Sequence, residues 1–145
     1  MELESRAGRT IRQIFDSDGE PEFRRLEREL LTELLAGDEL VVAAGGGAVM
    51  NEDTRREMQA AGPVVWLNAP PSVLNERINA DATTSERRPS LTGITGLTEI
   101  ENVLSQREPV YRDAASVIVE TDGLTPTTIV DRIVDDVGDL SGRVT

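Results

Sequence analysis

Apolar residues along this chain alternate between helical spacing and short continuous runs. Leu3 to Phe15 reads as a short helix with a break available at Gly8, and Ile11, Ile14 and Phe15 share one side. Asp16 to Gly19 reads as a turn. Pro21 then opens a stronger helix, in which Phe23, Leu26, Leu30 and Leu34 follow helical spacing until Gly37. Leu40 to Ala44, Val64 to Leu67 and Val117 to Val119 are short apolar runs, the pattern of strands buried on both faces. Between them, Asn51 caps a predicted helix to Ala61, and a second runs from Ser72 to Ile78. A third extends from Leu97 to Ala115 across Pro109. Thr125 and Pro126 open a last helix to Val137, followed by a frayed tail from Leu140 to Thr145.

Strands alternating with helices predict a parallel sheet in an α/β layered domain. One domain covers residues 1–138, with 139–145 as its tail. Residues 79–96 are polar, rich in Thr, Gly and Arg, and have no apolar period. A stretch of that length inside a small domain reads as a lid.

Composition removes whole classes of chemistry. There is no cysteine and no histidine, which excludes disulfides, thiolate or imidazole metal ligands and a Ser-His-Asp triad. All 15 basic residues are arginine, so no phosphate-loop lysine and no Schiff base is available in this polypeptide. The net charge of −12 opposes nucleic acid and anionic membranes, so an anion site must be a local arginine cluster. No apolar leader or spanning stretch is visible, and a soluble cytoplasmic protein is expected.

Four constellations carry possible chemistry. Arg24 stands in the first turn of its helix with Glu27 one turn on, where a carboxylate can hold the guanidinium fork ready for an acid. The same pair also reads as a solvated ion pair at a helix start. Gly45, Gly46 and Gly47 follow an apolar run, where backbone N–H groups can face an anion. Arg87 and Arg88 precede Pro89 inside the lid, and Arg107 lies in the run QREPVY. They either close on an anionic ligand or balance an acidic surface.

Taken in order, GRTIRQIF, GEPEFRRLE, VVAAGGGAV, VVWLNAP, RRPSL and REPVYRDAA resemble the shikimate kinase family over nearly the whole chain. The resemblance implies a three-layer α/β fold of the P-loop nucleoside-monophosphate-kinase type. It also implies transfer of the ATP γ-phosphoryl group to the shikimate 3-hydroxyl with Mg²⁺, in aromatic amino-acid (chorismate) biosynthesis. By motif position, Arg24, Arg88 and Arg107 would bind the carboxylate, Gly45, Gly46 and Gly47 would contact shikimate, and Glu27 would orient Arg24. Arg77, Arg88, Thr121 and Pro126 would fall on the nucleotide side. Ala44 departs from the threonine or serine usual before the glycines.

Met1 aligns just after the family's Asp-x-Asp motif. The resemblance therefore implies that the first two strands, the G-x-x-x-x-G-K-[ST] loop and that motif are lacking, with Met1 an internal start of a longer protein. Negligible phosphoryl transfer is expected of the 145 residues, with no metal ligands and with ATP and Mg²⁺ deprived of their binding groups. In the family the phosphate-loop strand lies between the strands matching Leu40–Ala44 and Val64–Leu67, so unpaired edges and self-association are expected. The alternatives are a non-catalytic small-acid-binding or regulatory paralogue and another small-molecule kinase, such as a gluconate kinase.

Overall fold

The computed structural model describes residues 1–81 and 96–142. Helix α1 (Glu2–Ala7) ends where Gly8 takes the left-handed conformation, φ 68°, and its N–H closes on the Glu4 carbonyl. Thr10 restarts the chain with a capping box. Its hydroxyl accepts from the Gln13 N–H, and the Gln13 side chain accepts from the Thr10 N–H in return. A cap of this kind contributes about 1 kcal/mol.

Helix α2 (Ile11–Leu35) carries a kink instead of the full turn expected at Asp16–Gly19. Gly19 alone leaves helical geometry, at φ 81° and ψ 173°, and Pro21 re-enters it with its ring already set for a helix. Across the kink, Leu3, Ile11, Ile14 and Phe23 form one buried cluster with Phe15, Leu26 and Leu30 against it. The Phe15 and Phe23 rings meet at 5.0 Å. This cluster seats the second half of α2, which carries Arg24 and Glu27. The helix stops at Leu35 with Ala36 as its cap, just short of Gly37.

The run Leu40–Ala44 corrects the sequence expectation. It forms no strand: among the described residues, the sheet consists of β1 (Val65–Asn68) and β2 (Val117–Glu120). An apolar run becomes a buried strand only with a neighbour to complete its ladder, and among the described residues no strand pairs with this one. Val41 is therefore fully exposed and Leu40 is 56% exposed. The two strands are parallel, as predicted, with Val65 opposite Val117 and Asn68 opposite Glu120.

A single 3₁₀ turn, Ala48–Met50, follows the glycines, and then α3 (Glu52–Ala61), whose first turn is capped by Asn51 accepting from the Thr54 N–H. Helix α4 (Pro71–Ala80) starts directly after β1, and α5 (Leu97–Ala114) runs through Pro109 to the start of β2. Helix α6 (Pro126–Gly142) packs on β2. It continues past Val137, so Leu140 is helical and not part of a frayed tail. Glycine at position 138 is tolerated inside the helix at about 1 kcal/mol. The sequence-predicted lid falls almost wholly on residues 82–95, outside the described residues, and Arg87, Arg88 and Pro89 with it. No described helix is long and apolar enough to cross a membrane.

Candidate functional site

Two helices deliver charged groups to the triple-glycine turn. From α2, the Arg24 guanidinium donates through Nη1 to Glu27 Oε1 at 2.9 Å, and Glu20 Oε1 lies 3.4 Å from its Nε. The Phe23 ring lies 5.1 Å beneath the guanidinium carbon. This grip turns Arg24 toward Gly47. A Cβ placed on Gly47 would fall 2.6 Å from Arg24 Cζ, so only glycine lets the guanidinium lie against this backbone. Glu27 Oε2 approaches Gly45 in the same way, at 3.1 Å from a Cβ built there.

From α5 come Arg107 and, one turn later, Tyr111. A Cβ on Gly46 would meet the Tyr111 hydroxyl at 2.6 Å and Arg107 Nη1 at 3.4 Å. The tyrosine hydroxyl donates to the Gly46 carbonyl at 2.7 Å. Arg24, Glu27 and Arg107, distant along the chain, therefore converge on Gly45, Gly46 and Gly47. Tyr111 joins them, although the sequence reading did not single it out. Its signal was available: Tyr111 lies four residues after Arg107, on the same helix face.

The electrostatics follow from burial. Glu27 is 9% exposed, and removal from water pushes its carboxyl above the usual range. The charges of Arg24 and Arg107 pull the other way without overcoming burial. Two guanidinium groups, Arg24 and Arg107, thus gather beside the turn in an acidic molecule, with Glu27 and Glu20 as the carboxylates next to Arg24. A cavity of about 320 Å³ opens on the α2 and α3 side of the turn, lined by Arg24, Glu27, Arg28, Gly47, Asn51 and Thr54, with Arg107, Gly45 and Gly46 outside its lining. Another hollow, bounded by Gln59, Val64, Ser116 and Leu140, contains none of the candidate residues.

The turn is mounted by ion pairs. Arg28 of α2 clasps Glu57 of α3 at 2.7 and 3.0 Å and donates to the Thr54 hydroxyl at 2.8 Å. Arg55 of α3 pairs with Asp113 of α5 at 2.9 Å and donates to the Val49 carbonyl at 2.8 Å. These contacts set α3, and the glycine turn ahead of it, between α2 and α5.

A second group of candidates meets at the carboxyl ends of the strands, where open α/β sheets bind ligands. Arg77 of α4 donates to Thr121 Oγ1 at 2.8 Å and to the Thr121 carbonyl at 2.9 Å. Thr121, 2% exposed, donates a hydrogen bond from its own hydroxyl to the Asn68 carbonyl at 2.9 Å. Pro126 opens α6 just beyond. Arg88 lies outside the described residues. Among the described residues, no three acidic, histidine or cysteine side chains gather as a metal site.

A sequence model of the family described as Shikimate kinase matches residues 1–138. The chain belongs to the shikimate kinase family. It is similar to shikimate kinase from Rhodopirellula baltica, 40% identical over 119 residues that span 82% of this chain and 64% of that protein. It is also similar to shikimate kinase from Pseudomonas aeruginosa, 39% identical over 142 residues, 98% of this chain and 80% of the relative. Among solved structures, shikimate kinase from Acinetobacter baumannii in complex with shikimate superposes with a TM-score of 0.87 at 30% identity. That match covers 99% of this chain and 77% of the other. Shikimate kinase from Aquifex aeolicus gives 0.78 at 31% identity, covering 97% of this chain and 79% of that structure. The α/β architecture is therefore that of the shikimate kinases, built here around a parallel sheet of two strands.

Proposed function

We propose that this chain binds shikimate at the triple-glycine turn. Arg24 and Arg107 pair with its carboxylate, Glu27 holds Arg24 in position, and the N–H groups of Gly45 to Gly47 meet its oxygens. The convergence of two guanidinium groups on that turn carries the reading. The relative from A. baumannii, which is in complex with shikimate, supports it. Arg88 joins the carboxylate side on its motif alone. Arg77, Thr121 and Pro126 form the nucleotide side.

The full reaction of the longer relatives would place the ATP γ-phosphoryl group on the shikimate 3-hydroxyl. We propose that these 145 residues by themselves bind without transferring. They contain no lysine and no G-x-x-x-x-G-K-[ST] run. Phosphoryl transfer is chiefly positioning and charge neutralisation, so what the arginines hold is not brought to reaction.

Calorimetric titration of shikimate into the chain tests the reading. Saturable binding is expected, weakened about tenfold or more in Arg107→Ala, because a charge-assisted pair is lost. Heats of dilution alone would remove the reading. ADP release dependent on both ATP and shikimate would overturn its non-catalytic half.

The outer edge of β1 and the exposed Val41 are further proposed to draw copies of the chain together. Light scattering should then give a mass above 15.8 kDa that rises with salt, since salt screens the net charge of −12. A constant monomer mass at every concentration and salt level would refute self-association.

A further inference from the structure

Tyr111 is the chain's single tyrosine, Trp66 its single tryptophan, and the two rings meet at 5.5 Å. Trp66 stands on β1, and on it also rests the Arg112 guanidinium, with its carbon 5.3 Å from the ring centre. The tyrosine ring is thus braced between its own helix and the sheet, and its hydroxyl reaches the Gly46 carbonyl at 2.7 Å. Glycine peptides are the least constrained in any chain, so a turn of three needs an outside group to fix its planes. Ala48 and Met50 donate to the Gly45 and Gly47 carbonyls, but the Gly46 carbonyl is held by Tyr111.

We propose that Tyr111 is a positioning residue that aims the Gly47 N–H at the ligand. Every described peptide bond is trans, so the Gly46 C=O and the Gly47 N–H point in opposite directions. Holding the carbonyl toward α5 turns the Gly47 N–H away from it, and Gly47 is the residue against which Arg24 lies. Among the described residues, the N–H groups of Gly45, Gly46 and Gly47 donate to no protein atom. One hydroxyl therefore sets the direction of the Gly47 donor, while Arg107, one turn earlier on α5, sets the charge beside it. The effect is on affinity, through preorganisation, and Tyr111 itself need not touch the ligand. This inference rests on the reading of the turn as the shikimate site.

Tyr111→Phe removes one oxygen and keeps the ring against Trp66. Calorimetry of the full chain should show wild-type binding of shikimate and a loss on the order of fivefold to tenfold in the variant, the scale of one hydrogen bond. The near-ultraviolet circular dichroism of Trp66 should be unchanged, which separates lost aim from lost packing. Equal affinity for wild type and variant overturns the proposal, as does a loss that merely tracks a smaller folded fraction. If the wild type itself binds nothing, the functional reading fails, and the positioning role is then decided on the free proteins. Amide resonances of Gly45 to Gly47 that move or broaden in Tyr111→Phe support it, and resonances that stay in place sink it. Coupling gives a second check, because Gly46→Ala drives a methyl into the hydroxyl at 2.6 Å but meets the ring carbon only at 3.7 Å. Gly46→Ala should therefore cost less in a Tyr111→Phe background, and equal costs in both backgrounds would contradict the contact.

Discussion

Gly47→Ala is expected to abolish most shikimate affinity while the protein stays folded. The backbone at Gly47 has φ −89° and ψ −11°, a right-handed conformation that alanine adopts freely, so no strain arises in the chain itself. The new methyl instead falls 2.6 Å from Arg24 Cζ and Nη1, well inside contact distance. Arg24 is the far end of a flexible side chain, and it yields by swinging out. Overpacking relieved in this way costs about 1 kcal/mol of stability. The ligand, however, loses a guanidinium together with close access to the backbone. A drop of about a hundredfold in affinity follows from losing one strong charged interaction and part of the N–H contact. Calorimetry beside a thermal melt checks both halves. Undiminished binding would mean that Arg24 does not occupy the place against Gly47 on which the functional reading depends.

The second large effect concerns Glu27. Its side chain is 11% exposed and that of Arg24 is 30% exposed, so Arg24→Ala strands a carboxylate in a poorly hydrated place. A loss of about 2–3 kcal/mol at neutral pH is expected in urea unfolding. Its pH dependence has a definite sign. Burial holds the folded Glu27 carboxyl above its unfolded value. This group's stabilising share is therefore complete below the unfolded pKa and is lost as pH rises through the folded one. Without Arg24 the folded value climbs further, so the penalty of Arg24→Ala should grow as pH rises above the ordinary carboxylate range. Glu57, Glu33 and Glu22 are held low by their arginines and slope the opposite way, so the test is a difference between variants. Arg24→Ala combined with Glu27→Gln should recover most of the loss and flatten the growth. A penalty independent of pH, or one the second change does not repair, would show that Glu27 is not the stranded charge.

What the sequence made legible was local chemistry. Thr125 and Pro126, Asn51, and the spacing of Arg24 to Glu27 act within one turn of helix, so neighbouring residues suffice to read them. Both paired strands were likewise visible as apolar runs. Leu40–Ala44 was misread because an apolar run reports what a strand would bury and says nothing of whether a neighbour exists to bury it. The kink at Gly19 was taken for a full turn because Asp, Ser and Gly serve both, and tertiary contact between Phe15 and Phe23 chose the tighter alternative. Within the site, the pairing of Arg24 with Glu27 was readable from spacing. The approach of Arg107 to Gly46 depends on how α5 crosses the turn, and Tyr111 stayed hidden because its partner is a backbone carbonyl, which no side-chain pattern encodes.

The mounting of α3 has a consequence for the conditions under which the site keeps its shape. The buried side chain of this helix is Thr54, a polar one, and its ties to its neighbours include Arg28–Glu57 and Arg55–Asp113. Attraction between charges fades with the surrounding electrolyte, over about 10 Å at 0.1 M, whereas apolar packing does not. The cradle for the organic acid is thus framed by a tether that concentrated brine slackens, and the same ions weaken the hold of the arginines on the acid itself.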